Sequence, residues 1–266
     1  MSSLLPSLTA ALLYSVATAY QSVCLTTRKR PNNTLLVSLG VVALLAHGAA
    51  LFIQLILPSS LSLDFFDASS LIAAVAILLI LLGCIRMPLQ TLLVLIYPLG
   101  AITTLLADVL PSGTVQPIDI TPGILTHVLL SIVAYGLLTL AVFQSLLLLI
   151  QDRQLKNKHP SGLIRSFPPL QTMESLLFGF LWAGWAVLSL SLISGWLFLE
   201  DMLAQHLVHK TVLSCVAWVL FGVLLWGRHR MGWRGHKAIR WTLAGFCLLM
   251  LAYFGSKLVR EFILHI

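Results

Sequence analysis

Apolar runs of 18 or more residues recur through the whole chain, each long enough to cross a hydrocarbon core of about 30 Å as a helix. That recurrence decides the fold class before any motif is considered. In lipid every backbone N–H and C=O must find a partner within the structure, which leaves only helices and closed barrels. The runs are continuous rather than alternating, which excludes the barrel. With 59% hydrophobic and 9% charged residues, the chain has too few charges to cover a soluble surface. The expectation is an all-α integral membrane bundle of eight transmembrane helices, a single domain over residues 1–266. The spans fall at about 4–25, 35–57, 68–85, 89–107, 122–150, 175–199, 211–226 and 241–264.

Charge sets the orientation. The first span has no basic residue ahead of it and is followed at once by Arg28-Lys29-Arg30, the reverse of a cleaved signal peptide. Placing both termini outside, on the periplasmic side, puts every one of the 16 Lys and Arg residues inside except Lys210, Lys257 and Arg260. Of the nine acids only Asp152 and Glu174 then lie inside, so the arrangement obeys the positive-inside rule throughout. The basic residues are divided among short inter-helix segments, so a topological role is expected and not a nucleic-acid patch. The location this implies is a membrane, crossed many times.

Several spans carry a face of their own. Gly40, Ala43, His47, Ala50 and Gln54 recur at spacings of three and four on the second, a stripe suited to close packing. Gly179, Ala183 and Ala186 share one face of the sixth, and Pro98 interrupts the fourth. The segment from Glu200 to Lys210 is long enough for a small amphipathic helix lying on the membrane surface. A basic loop carrying Arg228, Arg230, Arg234, Lys237 and Arg240 is expected between the last two spans, with Trp226, Trp233 and Trp241 as an aromatic belt. The four cysteines sit singly in apolar spans without a C-x-x-C, so they read as packing residues and not as a redox pair or a covalent haem attachment.

The stretch Pro122 to Ile150 is the most informative. It places His127 about one and a half turns inside a hydrophobic span, where an imidazole costs free energy unless something binds it. Ser131 and Tyr135 follow at i+4 and i+8, forming one polar stripe that must look into protein. No G-x-S-x-G, H-E-x-x-H, P-loop or G-x-G-x-x-G is present, and no intramembrane acid pair, so the chain is not expected to be an enzyme.

Three stretches carry a resemblance: H-V-L-L-S-I-V-A-Y at 127–135, K-T-V-L-S-C-V-A-W at 210–218, and L-L-W-G-R-H-R-M-G-W-R-G at 224–235 followed by A-G-F and A-Y-F-G between 244 and 255. Together they resemble the CcsA/CcmC cytochrome c assembly superfamily, and within it the small YpjD/HemX-like inner-membrane branch. The resemblance implies a membrane protein that binds haem b noncovalently near its outer face and acts in haem handling or c-type cytochrome biogenesis. The partners it implies are haem, other cytochrome c assembly proteins, or a cytoplasmic enzyme of tetrapyrrole synthesis; nucleic acid is not among them. The last of these belongs to an alternative reading, a regulatory scaffold with a vestigial haem site. Haem-delivering members carry a tryptophan-rich outside loop ending in W-D-P-K-E, of which only Lys210 has a counterpart here, and their inner-leaflet histidine falls on Trp226.

Haem needs one or two axial imidazoles, an apolar slot and cations near its propionates. By the helical rise His127 lies roughly 8 Å and His47 roughly 15 Å below the outer ends of their spans, compatible with one tilted macrocycle between them. Bis-histidine ligation by His47 and His127 is the first expectation, with Tyr135 on the same face. His265, just past the last span, is the alternative second ligand. Lys257 and Arg260 are candidate propionate partners. His206 and His209, at i and i+3 beside Glu200 and Asp201, could bind a metal or cap a haem edge. For each of these there is a plainer alternative: a histidine hydrogen-bonded to a neighbouring helix, a snorkelling cation, a solvated helix face.

Overall fold

The structure, a computed structural model, describes residues 3–27, 29–56, 64–110, 121–156, 167–198 and 205–255. Among these there is no strand. Eight helices run in chain order: α1 (Leu4–Thr26), α2 (Asn33–Leu51) with a π-helical turn over Phe52–Ile56, α3 (Phe65–Gly83), α4 (Leu93–Val109) after a short 3-10 turn, α5 (Pro122–Lys156), α6 (Leu170–Phe198), α7 (Gln205–Met231), and α8 (Gly235–Met250) with a second π-helical turn over Leu251–Gly255. All eight helical stretches are long and apolar enough to cross a membrane, as the sequence predicts. Their starts follow local chemistry. The Asn32 side chain accepts from the backbone N–H groups of Thr34 and Leu35, Asp64 accepts from that of Asp67, and Pro122 opens α5 where its missing N–H costs nothing. At 35 residues α5 is about 52 Å long by the helical rise, so it protrudes well past a hydrocarbon core.

The chain forms two compact units, one over 1–118 and 151–169, the other over 119–150 and 170–266. In the first, α1 packs against α2 and α4, and α3 packs against α2 and α4, closing a ring of four helices. The small-residue stripe of α2 is the packed face: Gly40, Ala43, His47 and Ala50 are all buried. Gly40 is there to admit the Tyr97 phenol from α4, which crosses it to donate a 2.9 Å hydrogen bond to the Leu36 carbonyl.

In the second unit α7 packs against both α6 and α8. Trp185 of α6 stacks on Trp218 of α7 with centroids 5.4 Å apart, and each indole N–H is used: Trp185 donates to the Trp218 carbonyl at 3.1 Å, Trp218 to the Ser189 hydroxyl at 2.7 Å. The face of α6 that packs carries Leu177, Leu181, Gly184, Leu188 and Ser191, whereas Gly179, Ala183 and Ala186 are exposed. Small size alone therefore did not mark the contact; the bulky face of α6 found a partner in Leu138 of α5, which lies against Gly184.

Two expectations about the inter-helix segments are corrected. The basic loop between the last two spans shrinks to Gly232–Arg234, because α7 continues to Met231 and α8 begins at Gly235. Gly232 (φ 65°) and Gly235 (φ 52°) supply the left-handed backbone that lets the chain reverse in so few residues. The basic residues flanking the turn are good helix formers and can extend their charges from a helix end. Likewise Gln205–Lys210 is the first part of α7 and not a separate surface helix.

The turn is tied down by one acid. Glu174 at the start of α6 accepts from the Gly235 backbone N–H at 3.1 Å, and its other oxygen lies 3.5 Å from Arg234 Nε and 3.9 Å from Arg228 Nη1. Arg228 also lies over the Phe178 ring, and Lys237 over that of Trp233, which packs against Trp241. Replacing Glu174 by Ala removes a buried cap acceptor and leaves two guanidinium groups without their acid. A loss of about 2 kcal/mol is expected, read as a lowered melting temperature of the detergent-solubilised protein, with Glu174→Gln, which keeps the cap acceptor, losing about half as much.

Candidate functional site: a histidine held inside the second unit

The polar stripe of α5 does look into protein. Tyr135 is buried and donates a 2.7 Å hydrogen bond to the Leu249 carbonyl, near the point where α8 passes into its π-helical turn. That turn brings the rings of Tyr253 and Phe254 to 6.1 and 6.4 Å from Tyr135. A helical carbonyl keeps a second lone pair, which lets Leu249 take the phenol just before the winding changes to π after Met250.

Two turns earlier His127 faces α6. Its Nδ1 lies 2.9 Å from the Ser191 carbonyl oxygen. A carbonyl only accepts, so Nδ1 carries a proton, and in the neutral ring that leaves the lone pair on Nε2. Ser194 reinforces this arrangement. Its hydroxyl donates to the same Ser191 carbonyl at 2.8 Å, so at 3.4 Å from Nδ1 its oxygen can act only as a second, weaker acceptor. The Ser131 hydroxyl donates to the His127 carbonyl at 2.8 Å, and Ser191 Oγ, 2.7 Å from Ser131 Oγ, therefore donates to it. The Ser191 carbonyl, with three serine hydroxyls around it on two helices, thus holds one imidazole in one orientation. His127 is half-buried, and no described residue hydrogen-bonds its Nε2.

His47 belongs to the first unit and is enclosed there. It is fully buried, its Nε2 shares a 2.8 Å hydrogen bond with the Ser70 hydroxyl of α3, and the Tyr14 ring meets it edge-on at 6.0 Å. Its Nδ1 has no hydrogen-bond partner among the described residues and no exposure. The two histidines paired in the sequence reading are therefore held differently, each by its own unit.

The remaining candidates are spread. His265, Lys257 and Arg260 lie outside the described residues, as do the side chains of His206 and His209. No group of three or more His, Cys, Asp or Glu side chains fit to hold a metal ion occurs among the described residues. Sequence reasoning missed Ser191 and Ser194, although a pair of serines at i and i+3 in an apolar span is itself a signal. The Ser191 carbonyl, the acceptor that sets the tautomer, leaves no trace in a sequence.

Comparison with known proteins agrees with the resemblance seen in the motifs. Residues 35–264 match the family described as Cytochrome C assembly protein. The inner membrane protein YpjD of Escherichia coli K12 is 34% identical over 226 residues, covering 84% of this chain and 85% of that one. An uncharacterized 28.8 kDa protein of Azospirillum brasilense is 39% identical over 140 residues, 52% of each chain. The protein HemX of Brevibacillus brevis is 27% identical over 147 residues, 54% of each. No solved structure matches the chain significantly. Eight membrane-crossing helices and this kinship place the chain in the bacterial inner membrane as a multi-pass protein. With the match running over most of its length, the chain belongs to the cytochrome C assembly protein family, in its YpjD/HemX-like branch.

Proposed function

We propose that the protein binds haem b noncovalently through its second unit, near the outer face of the membrane, and serves in haem handling during c-type cytochrome biogenesis. The observation that supports this most is the state of His127. An imidazole whose Nδ1–H is given to a backbone carbonyl presents a basic, oriented Nε2, which is how protein-held histidines meet a metal. The donor set fits the group in kind as well, since a neutral imidazole among apolar and serine side chains is what an iron porphyrin accepts.

Each residue then has its part. His127 would hold the iron through its Nε2, and Ser191 and Ser194 hold the ring against rotation. The Ser131–Ser191 pair fixes α5 to α6 at that level, while Tyr135 ties α5 to α8. Bound haem would supply a redox-active iron and two propionates; Lys257 and Arg260 are the proposed propionate partners. His265 is proposed as the second histidine that would hold the group, because His47 has its Nε2 engaged by Ser70 and its Nδ1 buried. The test is titration of the purified, detergent-solubilised protein with haemin. A saturable Soret band at one haem per chain is expected. Only the unstructured absorbance of free haemin, at every ratio, would rule the proposal out.

A further inference from the structure

Helix α1 carries a second polar feature, independent of the haem reading. Ser7, Tyr14 and Gln21 recur at intervals of seven residues, which places them on one side of the helix. All three are buried, at 0, 0 and 1% exposure. Each has a polar atom with no hydrogen-bond partner among the described residues: Ser7 Oγ, Tyr14 Oη and Gln21 Oε1. A fourth such atom, His47 Nδ1, belongs to the ring that Tyr14 meets edge-on. Of the five buried unpartnered side-chain atoms among the described residues, these four line the interior of one four-helix ring.

Both ends of this line are polar too. At one, Asp108 accepts from the Ser3 hydroxyl and, at 3.1 Å, from the Gln54 amide. At the other, the Gln21 amide donates to the Gln90 carbonyl at 2.7 Å. From Ser3 to Gln21 the helical rise gives about 27 Å, close to the thickness of a hydrocarbon core. Buried polar atoms in proteins are almost always satisfied, and where protein does not do it, bound water with two to four polar partners does.

We propose that the first unit encloses a file of bound water along α1, from Asp108 to Gln21, and that it conducts protons. At each step an O–H bond breaks on one water or hydroxyl as another forms on the next. The Tyr14 hydroxyl accepts from one neighbour while donating to the other, so it ends in the protonation state in which it began. A proton entering at the Asp108 end is matched by one leaving at the Gln21 end, and nothing is oxidised or reduced. Midway along the line the Tyr14 ring stacks on Tyr97, with centroids 5.4 Å apart.

The test uses the full chain reconstituted in liposomes loaded with a pH-sensitive dye, with a potassium-valinomycin potential as the drive. Wild type is expected to admit protons several-fold faster than empty liposomes, and Tyr14→Phe, which deletes one hydroxyl and keeps the ring, to lose most of that excess. Tyr20→Phe, on the same helix but off the line, is expected to match wild type. Flux equal to that of empty liposomes, or unchanged in Tyr14→Phe, would overturn the proposal. Radiolytic hydroxyl-radical labelling checks the water directly, because bound water makes radicals where bulk solvent cannot reach. Tyr14 is expected to label several-fold faster than Phe221, which is equally buried in the second unit. Equal protection of the two rings would mean the line is dry. A dry line would also show in stability, with Tyr14→Phe then raising the melting temperature by removing an unsatisfied hydroxyl.

Discussion

The His127→Ala protein is expected to bind haem at least about a hundredfold more weakly than wild type, while folding as before. Groups that merely orient a metal-binding histidine are worth about 10- to 100-fold in affinity, and the ligand itself stands above that range. The fold has little reason to suffer. His127 is half-buried, and the Ser191 carbonyl that it would abandon still accepts from the Ser194 hydroxyl, so no buried acceptor is orphaned. His127→Gly is expected to recover the Soret band when millimolar imidazole is added, since free imidazole can enter the space the side chain leaves. Ser194→Ala should weaken binding by about tenfold at most, because the stronger hold on Nδ1, the 2.9 Å bond to the Ser191 carbonyl, survives it. Haemin titrations of the three variants side by side check all of this.

Gly40→Ala is the substitution expected to damage the first unit most. A Cβ on residue 40 would overlap Tyr97 Oη and stand 2.7 Å from its Cζ. The phenol cannot step aside: it is fully buried, Tyr14 stacks on it, and its hydroxyl is bonded to the Leu36 carbonyl one turn before Gly40. Overpacking of this kind costs about 1 to 3 kcal/mol, and losing the Tyr97 hydrogen bond adds about 1 more. The expected loss is therefore about 3 kcal/mol, read from thermal or denaturant unfolding in detergent. Gly48, on the same helix, supplies the control. A Cβ added there would meet nothing within 4 Å, so Gly48→Ala should be neutral or gain up to about 1 kcal/mol from helix propensity alone. Equal effects at 40 and 48 would show that the phenol does not press on Gly40.

The contrast between these two glycines shows where a sequence can and cannot be read. Eight spans were legible because backbone hydrogen bonding in lipid admits so few solutions, and the buried stripe of Gly40, Ala43, His47 and Ala50 was legible because its spacing is helical. The similar set on α6, Gly179, Ala183 and Ala186, does share a face, but that face is exposed and larger residues make the contact. Spacing gives a face; it does not say which neighbour comes to meet it. The basic stretch 227–240 read as a loop because charge density suggests one, yet two left-handed glycines confine the turn to three residues.

At the site the same division holds. His127 stood out because an imidazole in an apolar span demands a reason, and its stripe with Ser131 and Tyr135 followed from the period. What the imidazole does depends on which nitrogen holds the proton, and that is decided by a backbone carbonyl on α6, a group every residue possesses. His47 drew attention for the same reason as His127, and the structure gives it a different answer: a serine on α3 and a wall of tyrosine.

The most direct measurement is pulsed electron paramagnetic resonance of the ferric haem complex prepared with 15N-labelled histidine. A hyperfine coupling from a histidine nitrogen on the iron is expected for the wild-type protein and for His47→Ala. In His127→Ala, loaded at high haemin concentration, the His127 coupling is expected to be gone. A wild-type complex without histidine coupling, or one whose spectrum survives His127→Ala unchanged, would contradict the assignment of the open Nε2 to iron.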